Sequence, residues 1–338
     1  MPRVVEHGGA AIHEVQDVHA VTFDLQAARP ATMAQVQGAP PAMGWMRDHP
    51  DIRDHTMERD EVSLKLKQFN QRSIKANLMK ARVLGASPAT LAPSVDLRQW
   101  CSPVEDQGQL GSCTANAGVG LVEYFERRAF GTYLDASRLF LYKVTRDLIG
   151  CTGDSGAYLR TTMGALALFG VPPERYCPYN IAAFDVEPSA FCYAFAENYK
   201  AISYYRLDPA GATPSTVLNT IRTWLAAGLP STFGFTVYNS YTQAATSGKI
   251  PFPAGGEKVV GGHAVDAVGY DDTMQITNTN AGAATTIGAL LIRNSWGTAW
   301  GAAGYGWLPY EYVLRGLAVD WWTLVKSEWI DTKQFGLP

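Results

Sequence analysis

Cys113 stands where a cysteine becomes a nucleophile. The stretch Gln107-Gly108-Gln109-Leu110-Gly111-Ser112-Cys113 leads directly into a helical run, Thr114 to Phe130. A cysteine in the first turn of a helix faces backbone N–H groups and the positive end of the helix dipole, which favours thiolate over thiol. Gln107, across a Gly-containing loop, can return its side-chain amide to the same spot. The Gln107 amide and the Cys113 N–H are then two donors for an oxyanion. A thiolate also needs a proton shuttle, and His263 in Gly261-Gly262-His263-Ala264-Val265 offers one. Its imidazolium pairs with the thiolate and then protonates a leaving amine. Asn294, in Arg293-Asn294-Ser295-Trp296-Gly297, can orient that ring without adding charge. The chemistry expected is acyl transfer by a thiolate. It calls for no metal and no cofactor: His and Cys are not spaced as zinc ligands, and no Gly-rich phosphate loop follows a strand.

Cys, His and Asn in this order resemble the papain-like (C1 family) cysteine peptidases, and the wording Asp106-Gln-Gly-Gln-Leu-Gly-Ser-Cys-Thr-Ala-Asn116 is most similar to a bacterial branch. So is the earlier run Gly44-Trp45-Met-Arg-Asp48-His-Pro50-Asp51-Ile-Arg53-Asp54. His263 lies 150 residues after Cys113 (113 to 263), inside the family's usual span of about 130–150. Asn294 lies 181 residues after it (113 to 294) and exceeds that span, which fits a polar insertion from Asp271 to Gly288. The family's half-cystine three residues before the nucleophile is replaced by Leu110, and the aromatic after it by Thr114. Ser94-Val95-Asp96-Leu97-Arg98 resembles the start of the family's mature domain, so coverage runs from about 94 to 325.

The resemblance implies a cysteine endopeptidase acting on peptide or protein substrates, with Cys113, His263, Asn294 and Gln107 as the catalytic set. It also implies substrate-binding roles for Gly156 and Ala157, at an edge where an extended chain adds as a strand, and for Gly262. Trp296 would shield the His–Asn hydrogen bond, and Asp320 falls near the base of the pocket for the second residue before the scissile bond. The same residues would serve a transamidase or peptide ligase. A catalytically silent binding protein on this fold is the reading of another class.

The elements that must position these residues follow from periodicity. Cys113 to Phe130 reads as a central helix stopped by Gly131, and Asp135 or Ser137 caps a second helix through Asp147. Gly156 to Phe169 reads as a third. Thr213-Pro214-Ser215 starts a helix through Ala227 that Gly228 stops. Strands are expected at Leu229 to Val237, His263 to Tyr270, Ala289 to Arg293 and Tyr305 to Leu308. Helices followed by strands predict an α+β fold with two subdomains, helical over about 94–227 and β over about 228–338, and the cleft between them.

Residues 1–93 precede this domain. Residues 1 to 43 have little periodicity and read as a tail or extended wrapper. Asp60 to Arg82 reads as one amphipathic helix with Val62, Leu66, Phe69, Ile74 and Leu78 on its apolar face. The resemblance implies a pro-like segment, an intramolecular inhibitor of its own cleft, joined through a linker over Gly85 to Ser94.

Bulk properties exclude other classes. A net charge of −3, from 28 basic and 31 acidic residues, gives no field to recruit nucleic acid or an anionic membrane. Arg3, Glu6, Glu14, Asp17 and Asp24 interrupt any signal-like apolar run, and no stretch approaches the roughly 18 residues of a membrane span. Localisation stays open between the cytoplasm and export by a non-Sec route. With Cys113 reserved, Cys101, Cys151, Cys177 and Cys192 can pair in three ways or remain free thiols.

Overall fold

Small side chains let the central helix be buried on most sides, and the rest of the structure is built against it. The computed structural model describes residues 42 to 337 apart from 53, 58, 60–61, 63–66, 69, 86, 88–89, 200–202, 281 and 283. The expected tail, up to residue 41, lies outside the described residues, as does most of the expected helix before Asn70. The described residues belong to one compact unit, Pro40–Pro338.

The chain enters extended, with a two-residue strand β1 (Trp45–Met46). Helix α1 (Ile74–Lys80) is capped by Ser73, whose hydroxyl accepts from Ala76 N–H. The single helix expected over Asp60 to Arg82 is therefore corrected. Asn70 adopts a left-handed φ of 55° and the cap at Ser73 starts a new element, a conformation that asparagine tolerates better than most residues. α1 packs away from the nucleophile: Arg72 and Lys80 both pair with Asp331, and Ser327 Oγ donates to Asn77.

Strand β2 (Ser94–Asp96) is followed by the central helix α2 (Cys113–Phe130), closed by Gly131 at φ 77°. Gly118 faces Thr162 and Leu141 so closely that a Cβ would meet them at 3.0 and 3.1 Å. Helix α3 (Arg138–Leu148) is capped by Ser137. The third helix begins later than expected, as α4 (Leu159–Phe169), because Gly156 is left-handed and Ala157–Tyr158 form strand β3, parallel to β1. A short α5 (Ala190–Ala196) follows.

Strand β4 (Ser203–Arg206) lies before the position where the sequence placed the helical half's end, yet it pairs with the sheet. Helix α6 (Pro214–Ala226) has Thr213 as its cap. Then come β5 (Ser231–Tyr238), β6 (Val259–Thr277), β7 (Thr285–Arg293), β8 (Tyr305–Pro309), α7 (Tyr310–Leu314), β9 (Ala318–Val325) and α8 (Ser327–Asp331). The sheet order is β4-β9-β5-β6-β7-β8, with β2 added on β6. All its pairings are antiparallel. The polar insertion is an extension of the β6–β7 hairpin, paired as Gln275 with Ile287 and Thr277 with Thr285. Helices and an antiparallel sheet make the fold α+β, with two subdomains. The apolar core includes Trp321, Trp322 and Trp329, each fully buried, and Phe125 of α2 stacks on Trp329 at 4.8 Å. Cys101, Cys113, Cys151, Cys177 and Cys192 are all free thiols. Among the described residues no helix is long and apolar enough to cross a membrane.

Candidate active site

The α2 N-terminus and the β6–β7 pair bring the four chemistry-bearing residues to one buried spot. Cys113 is the first residue of α2, and its N-cap, Ser112, makes no capping bond. The Ser112 hydroxyl instead pairs with Tyr179 Oη at 2.6 Å and accepts from Asn116 Nδ2 at 3.0 Å. The Ser112 hydroxyl thus does not compete for the first-turn N–H groups.

Gln107 is fully buried. Its Oε1 accepts from Ser295 Oγ at 2.6 Å, and its backbone N–H donates to Ser295 O at 2.9 Å. That fixes the amide with Nε2 turned toward Leu110 O and Ala42 O, each at 2.9 Å. Ser295 is a functional neighbour that its residue type alone does not announce. Its adjacency to Asn294 was the available signal.

On β6, pairing of Phe235 with His263 sets the height of the imidazole. His263 Nε2 lies 2.8 Å from Asn294 Oδ1, which also accepts from Ser295 N–H. An acceptor there assigns the proton to Nε2 and leaves the neutral ring's lone pair on Nδ1. Nδ1 has no hydrogen-bond partner among the described residues. Trp296 stacks on the imidazole, with centroids 4.5 Å apart and planes at 23°. The Cys113 sulfur is reached by the N–H groups of Ala264, the residue after His263, and of Gly44. That contact joins the α2 side to the sheet side.

The electrostatics differ from what a bare helix terminus implies. Burial pushes the Cys113 thiol up to about 11, against the lowering effect of the Ala264, Gly44 and Thr114 N–H groups. Burial likewise brings His263 down to about 4, although the Asn294 bond opposes it. Both residues are wholly inaccessible. Both shifts act in the direction of neutral thiol and neutral imidazole, against the charge separation that an exposed helix terminus would favour.

The cover is the chain's own residues 42 to 46. Ala42 O takes the Gln107 amide, Gly44 N–H donates to Cys113 Sγ at 3.4 Å, and Gly44 O accepts from Ala157 N–H at 2.8 Å. Gly44 fits because it has no side chain: a Cβ would come within 1.8 Å of Gly111 O. A Cβ on Gly156 would meet Gly44 O at 2.3 Å. Trp45 then fills a pocket over Gly234 and Gly262, where a Cβ would strike the indole at 1.9 and 2.8 Å. Its Nε1 donates to Asp320 Oδ2 at 3.0 Å. Gly156, Ala157, Gly262 and Asp320 thus all face this segment, while Trp296 sits on His263. The place of Gly44 and Trp45 against these residues is not legible from their own sequence run. The sulfur accepts from an amide N–H two residues beyond the carbonyl that Gln107 holds.

Comparison with known proteins follows the same lines. The profile of the papain family cysteine protease matches residues 91–313. The chain belongs to the papain family of cysteine proteases. This papain-family member is a hydrolase of the cysteine-peptidase type, and it is similar to an uncharacterized peptidase C1-like protein of Acanthamoeba polyphaga mimivirus, with 32% identity over 288 residues, 83% of this chain and 86% of that protein. It is similar also to cathepsin K of Gallus gallus, 28% identical over 223 residues, 63% of this chain and 57% of that protein. Among solved structures, xylellain, a cysteine protease from Xylella fastidiosa, superimposes with a TM-score of 0.64 at 32% identity, covering 87% of this chain and all of that one.

Proposed function

We propose that this papain-family peptidase cleaves peptide bonds in peptide or protein substrates through Cys113, and that residues 42–46 hold the full chain latent. The observation that carries the catalytic reading is the convergence of Cys113 Sγ, the His263–Asn294 hydrogen bond and the Gln107 amide at one buried point. Once the cleft is open, solvent lowers the cost of charge and the helix terminus favours thiolate. Cys113 attacks the carbonyl, and Gln107 Nε2 and the Cys113 N–H hold the oxyanion. His263, oriented by Asn294, protonates the leaving amine. Water then attacks the thioester, with the neutral imidazole taking its proton, and releases the acid and the thiolate.

The latency reading rests on Ala42 O occupying the Gln107 donor while Trp45 occupies the Asp320 pocket. It moves the inhibitory role from the helix region to the short strand ahead of it, within a regulatory segment over residues 1–93 that precedes a peptidase domain over 94–338. Gly156 and Ala157 supply the edge for an extended substrate, Gly262 and Asp320 the pocket, and Trp296 the cover over the histidine. The test is peptide cleavage, and labelling by a thiol-directed epoxide, for the full chain, for Cys113→Ser and for protein beginning at Ser94. Expected are slow cleavage by the full chain, none by Cys113→Ser, and faster cleavage by the shortened protein. Equal cleavage by Cys113→Ser would refute the mechanism, and equal rates for a stable shortened protein would refute latency.

A further inference from the structure

One side-chain relay ties the loop that carries the nucleophile to the edge that receives an extended chain. Gly111 N–H, two residues before Cys113, donates to both carboxylate oxygens of Asp154, at 3.0 and 3.1 Å. Tyr142 of α3 donates its hydroxyl to Asp154 Oδ1 at 2.5 Å and accepts from Gly156 N–H at 3.1 Å. Tyr142 is fully buried. Burial and the adjacent Asp154 carboxylate push its phenol up, so it remains a donor. Arg146, one turn along α3, holds Gly153 O at 2.6 Å and lies over the Tyr142 ring at 4.3 Å. The 153–156 loop is therefore seated on a helix. No covalent link does this work: position 110 is leucine, and Cys151 on the same loop is a free thiol.

We propose that Asp154 is a positioning residue, which sets the separation between the loop before Cys113 and the Gly156–Ala157 edge through Gly111 N–H and the Tyr142 hydroxyl. The proposal rests on the reading of Cys113 as the nucleophile. Asp154 itself is exposed, so water can replace its bonds at small cost to global stability. Its effect lies in placement, because a shift of about 1 Å in a reacting geometry can cost on the order of 100-fold in rate. The oxyanion donors on this loop are the groups most sensitive to such a shift.

The test uses the full chain, with kcat read at saturating fluorogenic peptide, where competition by residues 42–46 no longer counts. Site-resolved alkylation of Cys113 by iodoacetamide and thermal melting accompany it. Asp154→Ala is expected to lower kcat roughly 10- to 100-fold with a melting temperature within about 2 °C of the parent. Asp154→Asn is expected to stay within about threefold, because its amide oxygen still accepts from Gly111. An unchanged kcat in Asp154→Ala overturns the proposal, as does Asp154→Asn falling as far as Asp154→Ala, or a loss that follows a matching drop in melting temperature. Cleavage that persists in Cys113→Ser would instead defeat the nucleophile reading. Should the full chain not cleave, the alkylation rate decides: a change of more than about threefold in Asp154→Ala but not in Asp154→Asn supports the role, and equal rates overturn it.

Discussion

Trp45 Nε1 donates to Asp320 Oδ2 at 3.0 Å, so the carboxylate at the pocket floor is already paired with a side chain of its own protein. Asp320 is held from other sides too, by Trp322 Nε1 at 2.7 Å and Arg206 Nη1 at 3.4 Å. Burial still pushes it up to about 6, against the opposing pull of Arg206 and the two indoles. What the structure has is a carboxylate that accepts from two indole N–H groups beside the Arg206 guanidinium.

Removing the indole should therefore open the pocket. Trp45→Ala in the full chain is expected to raise kcat/KM on small peptides at least about tenfold, since truncating a buried Trp typically costs about 3–5 kcal/mol of its packing. Asp320→Ala should move the preference of a peptide library from Lys and Arg toward apolar residues at the second position before the cut. An unaltered profile would make Asp320 purely structural.

The strand has a second hold. Asp54 is buried and accepts from Arg160 Nε at 2.7 Å and Nη2 at 3.0 Å, and Arg160 also pairs with Asp48. Both acids lie just after Trp45 in the chain. Asp54→Ala leaves Arg160 with one acid instead of two, which is expected to cost on the order of 1–3 kcal/mol of segment docking. Epoxide labelling of Cys113 should accelerate at least about fivefold in this variant. Labelling at the parent rate would show that the ion pairs stabilise the body without governing access.

Cleft occupancy should also be visible as a change in titration. In the covered form the thiol is held up to about 11, so iodoacetamide alkylation of the full chain should climb only toward that alkaline range. In Trp45→Ala the alkylation rate should level off well below the free-thiol value of about 8.5, and kcat/KM should be bell-shaped. The apparent values then belong to the Cys113–His263 pair. Identical profiles for the two proteins would separate the burial of Cys113 from the presence of the indole.

Glu123 predicts a pH effect on stability alone. It lies inside α2, accepts from Ser102 Oγ and from Ala136 N–H, and burial pushes it up to about 7 despite the nearby Arg293. Between its ordinary 4.5 and about 7 the folded protein binds more protons than the unfolded chain. The contribution is thus full at low pH and is lost as pH rises through about 7. Glu123→Gln should match the parent in urea melts near pH 4.5 and exceed it by up to about 3 kcal/mol near pH 8. A constant difference across that range would remove Glu123 as the titrating group.

What could be read in advance were features whose meaning is local. The helix start at Cys113, the caps at Ser137 and Thr213 and the stop at Gly131 each depend on a few neighbouring residues, and the structure forms them where the sequence put them. Gly44 and Trp45 are different. Their meaning depends on Gly111, Gly156, Gly234 and Gly262, four glycines far apart in the chain that leave room for one strand and one indole. No pattern within residues 42–46 reports that space. The same holds for Cys113: the helix terminus is written in the sequence, but the burial that outweighs it comes from a remote segment. Strand β4 was hidden in a Tyr-rich connection, because its pairing partner β9 lies more than a hundred residues later.

The parallel pairing of β1 with β3 is made within one molecule, and this fixes how activity should develop in time. A tethered strand meets its own edge at an effective concentration of order mM, whatever the protein concentration in the tube. Diluting the protein does not free the cleft, and a preparation that switches on by strand departure alone should show a lag of the same length at any enzyme concentration. A lag that shortens as the protein is concentrated would mean that one molecule's cleft is opened by another's cutting. The order of the onset kinetics thus reports whether release is a private event of each chain or a chain reaction through the population.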